Sequence, residues 1–159
     1  MQSDDSHDVH KRPTRMDTLM QIAHTTGQRS TCQRLSVGAL VVREGRTLSS
    51  GYNGAPARLP HCKHPEWEEE GKEIFDPNLS PCETAVHAEI NAIAFAAKYG
   101  QATEGAELIV THSPCLKCAQ LIINAGIVRV TYDLQFRSSL GVQLLFAADI
   151  PCIEYSPGT

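Results

Sequence analysis

Two short fragments of the sequence carry residue types that bind metal ions and move protons. They are His87-Ala88-Glu89 and Pro114-Cys115-Leu116-Lys117-Cys118. Cysteines three positions apart on the first turn of a helix direct their sulfurs to the same side, where they can share one ion. His87 as a third ligand would leave the fourth tetrahedral position open, which is typical of a catalytic zinc that acidifies a bound water. Glu89 would reach that water from outside the ligand set, as a proton carrier does.

The alternative for the cysteine pair is a closed structural zinc site, with Glu89 as a charge that caps a helix. A lone C-x-x-C is weak evidence, because structural zinc knuckles and redox pairs share that spacing. The structural alternative does not account for His87 and Glu89 occurring together with the cysteine pair. The joint pattern therefore favours a catalytic zinc.

The elements that must position these fragments follow from apolar periodicity and turn signals. We predict a helix with Met16, Leu19, Met20 and Ala23 on its apolar face, strands at 37–42 and 47–52, a helix with Ile90, Ile93, Ala94 and Ala97 on one face that ends at Gly100, a strand at 108–111, a helix from Pro114 to Gly126, a strand at 128–132, a helix near 140–147 and a strand at 152–155. This αββαβαβαβ order predicts an α/β fold. Its helices cover both faces of a central, mixed five-stranded sheet whose first two strands are antiparallel.

Composition narrows the class of protein. The chain has 159 residues, with 14 Lys+Arg against 18 Asp+Glu and a net charge of −4. We expect a flexible tail at residues 1–15 and one domain at 16–159. The acidic balance argues against a nucleic-acid partner, and no apolar run approaches the roughly 18 residues of a membrane span. Without a signal peptide the expected location is cytoplasmic, where six cysteines indicate metal binding or catalysis before disulfides.

Residues 54–82 form an unusually long connection between two predicted elements. The segment holds most of the prolines, a run of charges and three possible metal ligands, His61, Cys62 and His64. A long connection without secondary structure inside a compact domain is usually functional or internally tied.

The combination H-x-E … P-C-x-x-C is the signature of zinc deaminases that act on nucleosides and nucleobases. Beyond it, four stretches resemble the deoxycytidylate (dCMP) deaminases of bacteria and phages, including a competence-associated bacterial branch. They lie at 29–39, 51–56, 60–62 and 88–93, and the resemblance as a whole covers residues 16–155. It implies a cytidine-deaminase-like three-layer α/β/α sandwich. It also implies hydrolysis of dCMP to dUMP and ammonia, a step that feeds dTMP synthesis.

The resemblance also implies roles for individual residues. Asn53 would bond the sugar, and the backbone around Ala88, Ser113 and Pro114 would receive the base. Arg29 is a candidate for binding the 5′-phosphate. The basic side chains of Arg34, Arg58 and Lys117 are equally plausible candidates. Phe136 stands where the family often has a tyrosine, and it is either an aromatic wall of the site or a core residue.

In relatives of this kind a second, structural zinc can be held by cysteines that correspond to Cys32, Cys62 and Cys82. Either His64 or His61 would complete that site. Such a zinc would fix the long segment beside Asn53. The alternative is three unrelated buried thiols, and Cys152 is interpreted as a small apolar filler.

The same resemblance implies regulation and assembly. Related enzymes are commonly homo-oligomers, often hexamers, and many are activated by dCTP with Mg²⁺ and inhibited by dTTP. The segment from Gly51 through Tyr52 and Gly54 would contribute to the regulatory surface. Three other functions remain open: a tRNA adenosine deaminase, a free-cytidine deaminase, and a non-catalytic zinc module related to competence proteins.

Overall fold

The computed structural model describes residues 12–32, 34–59, 61 and 85–158. Its helices are α1 (Arg15–Gly27), α2 (Ala88–Lys98), α3 (Leu116–Asn124) and α4 (Leu140–Ala147), and its strands are β1 (Gly38–Arg43), β2 (Arg46–Tyr52), β3 (Glu107–His112), β4 (Arg129–Leu134) and β5 (Cys152–Glu154). The predicted αββαβαβαβ order is confirmed. None of the helices in these ranges combines the length and the apolar character that crossing a bilayer requires.

The five strands form one mixed sheet in the order β2-β1-β3-β4-β5. Strand β1 runs antiparallel to β2 and β3, whereas β3, β4 and β5 are mutually parallel. Helices α3 and α4 are the crossovers that join the parallel strands. His112 pairs with Leu134 across β3 and β4, so the residues that follow these two strands meet at the same edge of the sheet.

The two faces of the sheet are covered unequally. Alternate side chains of β1 and β3, including Leu40 and Ile109, pack against α1, with Tyr155 beside them. The opposite face, including Val41 and Leu108, packs against α2, α3 and α4. The predicted three-layer α/β/α sandwich is therefore confirmed. Among the described residues, one helix lies on one face and three lie on the other.

Helix α1 begins with a reciprocal cap. The Asp17 backbone N–H donates to the Thr14 hydroxyl at 3.1 Å, and the Thr14 backbone N–H donates to the Asp17 carboxylate at 2.8 Å. The helix thus begins at Arg15, inside the stretch assigned from sequence to a tail. Residues 1–11 of that stretch lie outside the described residues.

The apolar face predicted for α2 is wrong for two of its four members. Ala94 and Ala97 are exposed, and the buried residues are Ala88, Glu89, Ala92, Ile93 and Ala96. Periodicity could not choose the face, because apolar residues occur all around this helix. The choice follows from close packing, since a side chain on Gly51 of β2 would collide with the backbone of Ala88 and Ala92.

Candidate active site

Each half of the predicted metal site lies at the N-terminus of a helix. His87 is the N-cap of α2 and Cys115 is the N-cap of α3, both with extended backbone. Neither side chain makes a capping hydrogen bond, so both are available for other contacts. The partial positive charge at the two helix N-termini favours thiolates and anions at this point.

The structure brings the three predicted ligands of the catalytic zinc together. The Nδ1 atom of His87 lies 3.5 Å from the sulfur of Cys115 and 3.3 Å from that of Cys118. All three donor atoms lie within 4.8 Å of one another. One imidazole nitrogen and two sulfurs converging from two helix ends is a donor set that suits zinc and leaves room for a fourth ligand.

Glu89 is the second residue of α2 and is only 4% exposed. Burial raises the pKa of this carboxyl above its usual value, and the adjacent His87 opposes that shift. A carboxyl whose pKa is raised towards neutrality can both accept and return a proton, which is what general acid–base catalysis needs. Glu89 is therefore suited to carry protons beside the His/Cys/Cys cluster.

The two thiols have opposite protonation preferences. Hydrogen bonds from Cys118 and His87 lower the pKa of Cys115 to about 4, against the effect of partial burial. The contact with Cys115 and burial both raise the pKa of Cys118. The hydrogen bond to Cys115 raises the pKa of His87. The cluster thus already favours negative charge on one sulfur, which is the form that ligates a metal.

The residues expected to receive the base lie next to the metal ligands in the sequence. Ala88 is fully buried and Ser113 is 2% exposed. The Ser113 hydroxyl accepts a hydrogen bond at 2.8 Å from the backbone N–H of Phe136, while its own N–H donates to the carbonyl of Leu134. These bonds hold the segment after β4 against the start of α3. Phe136 is half-buried, so it is neither a fully enclosed core residue nor a free surface side chain.

Asn53 is buried at the end of β2 and is tied to the segment before β1. Its Oδ1 atom accepts from the Val37 backbone N–H at 2.8 Å, and its Nδ2 atom donates to the Leu35 carbonyl at 2.7 Å. Its own carbonyl accepts from the Ser30 hydroxyl at 2.9 Å. Counting bonds to the described residues, each side-chain atom retains one further hydrogen-bonding position. In this structure Asn53 therefore organises the loop after α1, and its contact with a sugar stays a prediction.

Arg29 lies in a groove of about 660 Å³ between α1, β2 and the C-terminal half of α2. Its guanidinium stands 5.8 Å from the centre of the Tyr52 ring. The groove is also lined by Ile22 of α1 and Phe95 of α2. Neither residue lies at the helix N-termini that carry the metal ligands. Of the three suggested regulatory residues, Tyr52 faces this groove, whereas Gly51 is covered by α2 and Gly54 pairs with Val86.

The second zinc site falls largely outside the described residues, which do not include Cys62, His64 or Cys82. Cys32 is half-buried, and its backbone N–H donates to the Ser30 hydroxyl at 3.1 Å. Cys152 packs against the core, where burial raises the pKa of its thiol to about 11. That position fits the interpretation of Cys152 as an apolar filler.

The comparison that decides the family covers most of the chain. A family model described as the cytidine and deoxycytidylate deaminase zinc-binding region matches residues 13–134. The chain belongs to this family. The sequence resemblance is thereby confirmed, and the His/Cys/Cys cluster is the candidate metal site of a zinc-binding deaminase domain.

Members of the deaminase family resemble this chain to different extents. ComE operon protein 2 of Bacillus subtilis (strain 168) is 42% identical over 128 residues, which are 80% of this chain and 64% of that protein. The deoxycytidylate deaminase of Mycobacterium phage D29 is 38% identical over 125 residues, which are 76% of this chain and 95% of that protein. This chain thus spans less than two thirds of the Bacillus relative.

A solved deaminase structure matches nearly the whole fold. The dCMP deaminase of cyanophage S-TIM5, in complex with dCMP and dUMP, is 32% identical and superposes with a TM-score of 0.77. The match covers 92% of this chain and 100% of the phage chain.

Sequence reasoning did not single out His112, which ends β3 immediately before Ser113. The available signal was its position one residue ahead of the S-P-C fragment. His24 and Asp133, which form an ion pair at 2.6 Å near it, were also not singled out. They are 109 residues apart in the chain, and no local pattern joins them.

Proposed function

We propose that the chain catalyses the hydrolytic deamination of dCMP to dUMP with release of ammonia. The observation that carries the proposal is the convergence of His87, Cys115 and Cys118 beside the buried carboxyl of Glu89. The choice of dCMP is supported by the relatives, which include deaminases named for that substrate and a structure that contains it.

The residues divide the chemistry between them. His87, Cys115 and Cys118 would hold a zinc ion, which would supply an acidified water next to the base. Glu89 takes a proton from that water and gives it to N3 of the cytosine while the water oxygen adds to C4. Glu89 would then take the second proton from the new C4 hydroxyl and pass it to the amine. The C4–N4 bond would break, the C4 carbonyl of dUMP would form, and ammonia would leave.

The residues proposed to contact the substrate are buried. The segments at Ala88 and at Ser113–Pro114 are the proposed contacts of the base, and Asn53 is the proposed contact of the sugar. Ser113 supports this arrangement indirectly, because its hydroxyl fixes the Phe136 backbone. Holding the base rigidly over Glu89 favours reaction, since little reorganisation is then needed in the transition state.

The test is a comparison of Glu89→Gln with the wild-type protein in a dCMP deamination assay. We expect Glu89→Gln to lose turnover by at least about 10²- to 10⁴-fold, because it removes the proton carrier. Its zinc content per chain should stay unchanged, because Glu89 is not a ligand. Glu154→Gln, on the exposed strand β5, is the matched control and should retain activity. Near-normal ammonia release by Glu89→Gln would contradict the proposal.

A nucleotide panel separates this function from its alternatives. The wild-type protein should deaminate dCMP faster than CMP, dCTP, deoxycytidine or a tRNA substrate. Preference for deoxycytidine would favour a free-nucleoside deaminase. Zinc binding without turnover of any of these substrates would favour a non-catalytic module.

The family resemblance supports three finer proposals. We propose a second, structural zinc held by Cys32, Cys62 and Cys82 with His64 or His61, which predicts two zinc ions per chain by metal analysis. We also propose activation by dCTP with Mg²⁺ and inhibition by dTTP, to be tested by adding each to the dCMP assay. Assembly into a homohexamer is to be tested by native mass spectrometry.

A further inference from the structure

His112 is a half-buried imidazole at the edge of the sheet where the candidate active site begins. It is the last residue of β3 and directly precedes Ser113, Pro114 and the ligand Cys115. It also pairs with Leu134, which precedes the segment that holds Phe136. The reaction proposed above gives this side chain no role.

The Thr111 hydroxyl links the start of β1 to the imidazole of His112. The Gly38 backbone N–H donates to the Thr111 hydroxyl oxygen at 3.2 Å, and that oxygen lies 3.0 Å from Nδ1 of His112. A hydroxyl has one hydrogen to donate. Among the described residues, Nδ1 of His112 is an acceptor within reach of that hydrogen. In the tautomer in which the hydroxyl donates to Nδ1, the neutral imidazole carries its hydrogen on Nε2.

The surroundings keep this imidazole neutral. Burial lowers the pKa of His112, and the nearby positive charge of His24 lowers it further, while Asp133 opposes both. His24, on α1, and Asp133, on β4, are held to each other at 2.6 Å. Across the described residues no hydrogen bond engages Nε2 of His112. In the tautomer with its hydrogen on Nε2, the imidazole presents one oriented N–H donor.

We propose that His112 is a specificity residue, whose Nε2–H donates to an acceptor oxygen in the sugar–phosphate part of the substrate. The inference rests on the proposed function, in which Asn53 contacts the sugar. The Val37 backbone N–H donates to Asn53. The next backbone N–H, that of Gly38, donates to Thr111 beside His112. Arg29, the sequence-based candidate for the phosphate, stacks near Tyr52 in the groove beside β2 instead. An oriented neutral donor suits either a phosphate oxygen or a sugar hydroxyl.

The experiment compares two variants on three substrates. His112→Phe removes the donor but keeps an aromatic ring, and His112→Gln offers an amide N–H in place of Nε2–H. The substrates are dCMP, deoxycytidine, which lacks the phosphate, and 2′,3′-dideoxycytidine 5′-monophosphate, which lacks the 3′-hydroxyl. We expect His112→Phe to lower kcat/KM for dCMP about 10- to 100-fold, the usual effect of deleting one hydrogen bond to a polar substrate group.

The pattern across substrates identifies the oxygen. If the phosphate accepts the bond, the loss should nearly vanish with deoxycytidine. If the 3′-hydroxyl accepts it, the loss should nearly vanish with the dideoxy nucleotide. In either case His112→Gln should recover most of the kcat/KM for dCMP, and zinc content and the thermal midpoint should match the wild-type protein.

An equal loss on all three substrates without recovery by His112→Gln would overturn the proposal, because it would indicate a purely structural role. An unchanged kcat/KM in His112→Phe would overturn it as well. If the wild-type protein deaminates none of the three, the proposed function fails. The same comparison of dissociation constants, measured by calorimetry with each compound, then still decides the role of His112.

Discussion

His87 and Cys115 occupy positions where helices normally place a capping side chain. Ser, Thr, Asp and Asn are preferred at the N-cap, and replacing them costs about 1 kcal/mol of helix stability. Thr14 fulfils that role for α1, whereas His87 and Cys115 make no capping bond in α2 and α3. The two helices that carry the site thus give up a local stabilisation, and the side chains are left to bind a metal.

The metal-stripped protein should show unequal reactivity of its two site cysteines. The pKa of Cys115 is lowered to about 4 and Cys115 is half-buried, whereas the pKa of the fully buried Cys118 is raised. Because the thiolate is the nucleophile, we expect iodoacetamide at neutral pH to label Cys115 first. Zinc should protect both residues. Peptide mass spectrometry over a time course measures the two rates.

Cys152 serves as the internal control for this labelling. Burial raises the pKa of its thiol to about 11, so it should react slowly whether or not zinc is present. Faster labelling of Cys118 than of Cys115, or no protection by zinc, would contradict the assignment of these sulfurs to one metal site.

Two glycines allow neighbouring backbones to approach the halves of the site. A Cβ on Gly51 of β2 would meet the backbone of α2, with the Asn91 carbonyl carbon at 2.9 Å. A Cβ on Gly141 of α4 would meet the backbone ahead of α3, with the Cys115 carbonyl carbon at 2.7 Å. Close contact without an intervening side chain therefore sets where each helix begins.

Gly141→Ala should weaken both stability and zinc binding. The added methyl has no room, and overpacking typically costs about 1–3 kcal/mol. Because the obstruction is the backbone of Pro114 and Cys115, relief of the clash would displace a zinc ligand. Urea unfolding measures the loss of stability, and competition with a chelator measures the zinc affinity.

Gly100→Ala is the matched control for that variant. Gly100 has a φ of +68° and open space around it, so alanine there is strained by about 1 kcal/mol without touching the site. It should lower stability and leave zinc affinity unchanged. Equal zinc affinity in both variants would refute the positioning role of Gly141.

The sequence predicted the order and type of the elements because their signals are local. The apolar face of α1, the hairpin of β1 and β2, and the strand before each crossover follow from periodicity over a few residues. Helix starts were less accurate. Pro114 was expected inside α3, which actually begins at Leu116 after the N-cap Cys115. Which face of α2 is buried depends on its contact with Gly51 in β2. The apolar periodicity within α2 carries no information about that contact.

The Asp17 carboxylate, in the first turn of α1, joins two segments that are far apart in the sequence. Asp17 accepts hydrogen bonds from the Tyr155 hydroxyl at 2.6 Å and from the Gly158 backbone N–H at 2.9 Å. It also accepts from the Thr14 backbone N–H. One side chain therefore joins the start of α1 to the segment after β5, beside the sheet face that α1 covers.

Asp17→Asn should destabilise the protein in a pH-dependent way. Bonds from Tyr155, Gly158 and Thr14 hold the pKa of Asp17 well below its usual 3.8. A depressed carboxyl pKa contributes stability that is present above the unfolded value and is lost as the pH falls below it. The free energy of unfolding should therefore differ between wild type and variant at neutral pH, and the difference should shrink below pH 3.8. Urea unfolding at both pH values tests this.

Asp149→Asn is the isosteric control, since Asp149 is exposed and asparagine tolerates its φ of +56°. It should change stability little at either pH. A stability difference for Asp17→Asn that is independent of pH would contradict the role assigned to the carboxylate.

Contacts between distant parts of the chain account for what the sequence could not predict about the site. The motif predicted that His87, Cys115 and Cys118 would converge, and the structure brings them together, because short spacings on helix starts constrain direction. The amide of Asn53 is instead bonded to residues about 16–18 positions earlier. The relay from Gly38 through Thr111 to His112 crosses between strands that are 73 residues apart. Such pairings follow from sheet order, which spacing alone does not specify.

The two edges of the sheet bear on how the folded chain resists aggregation. Strand β5 has three residues, and β2 carries exposed polar residues and an irregular register opposite Val41 and Val42. Short, polar or bulged edges are poor templates for the addition of a foreign strand. Amyloid-like growth on this sheet would therefore require β2 or β5 to detach first.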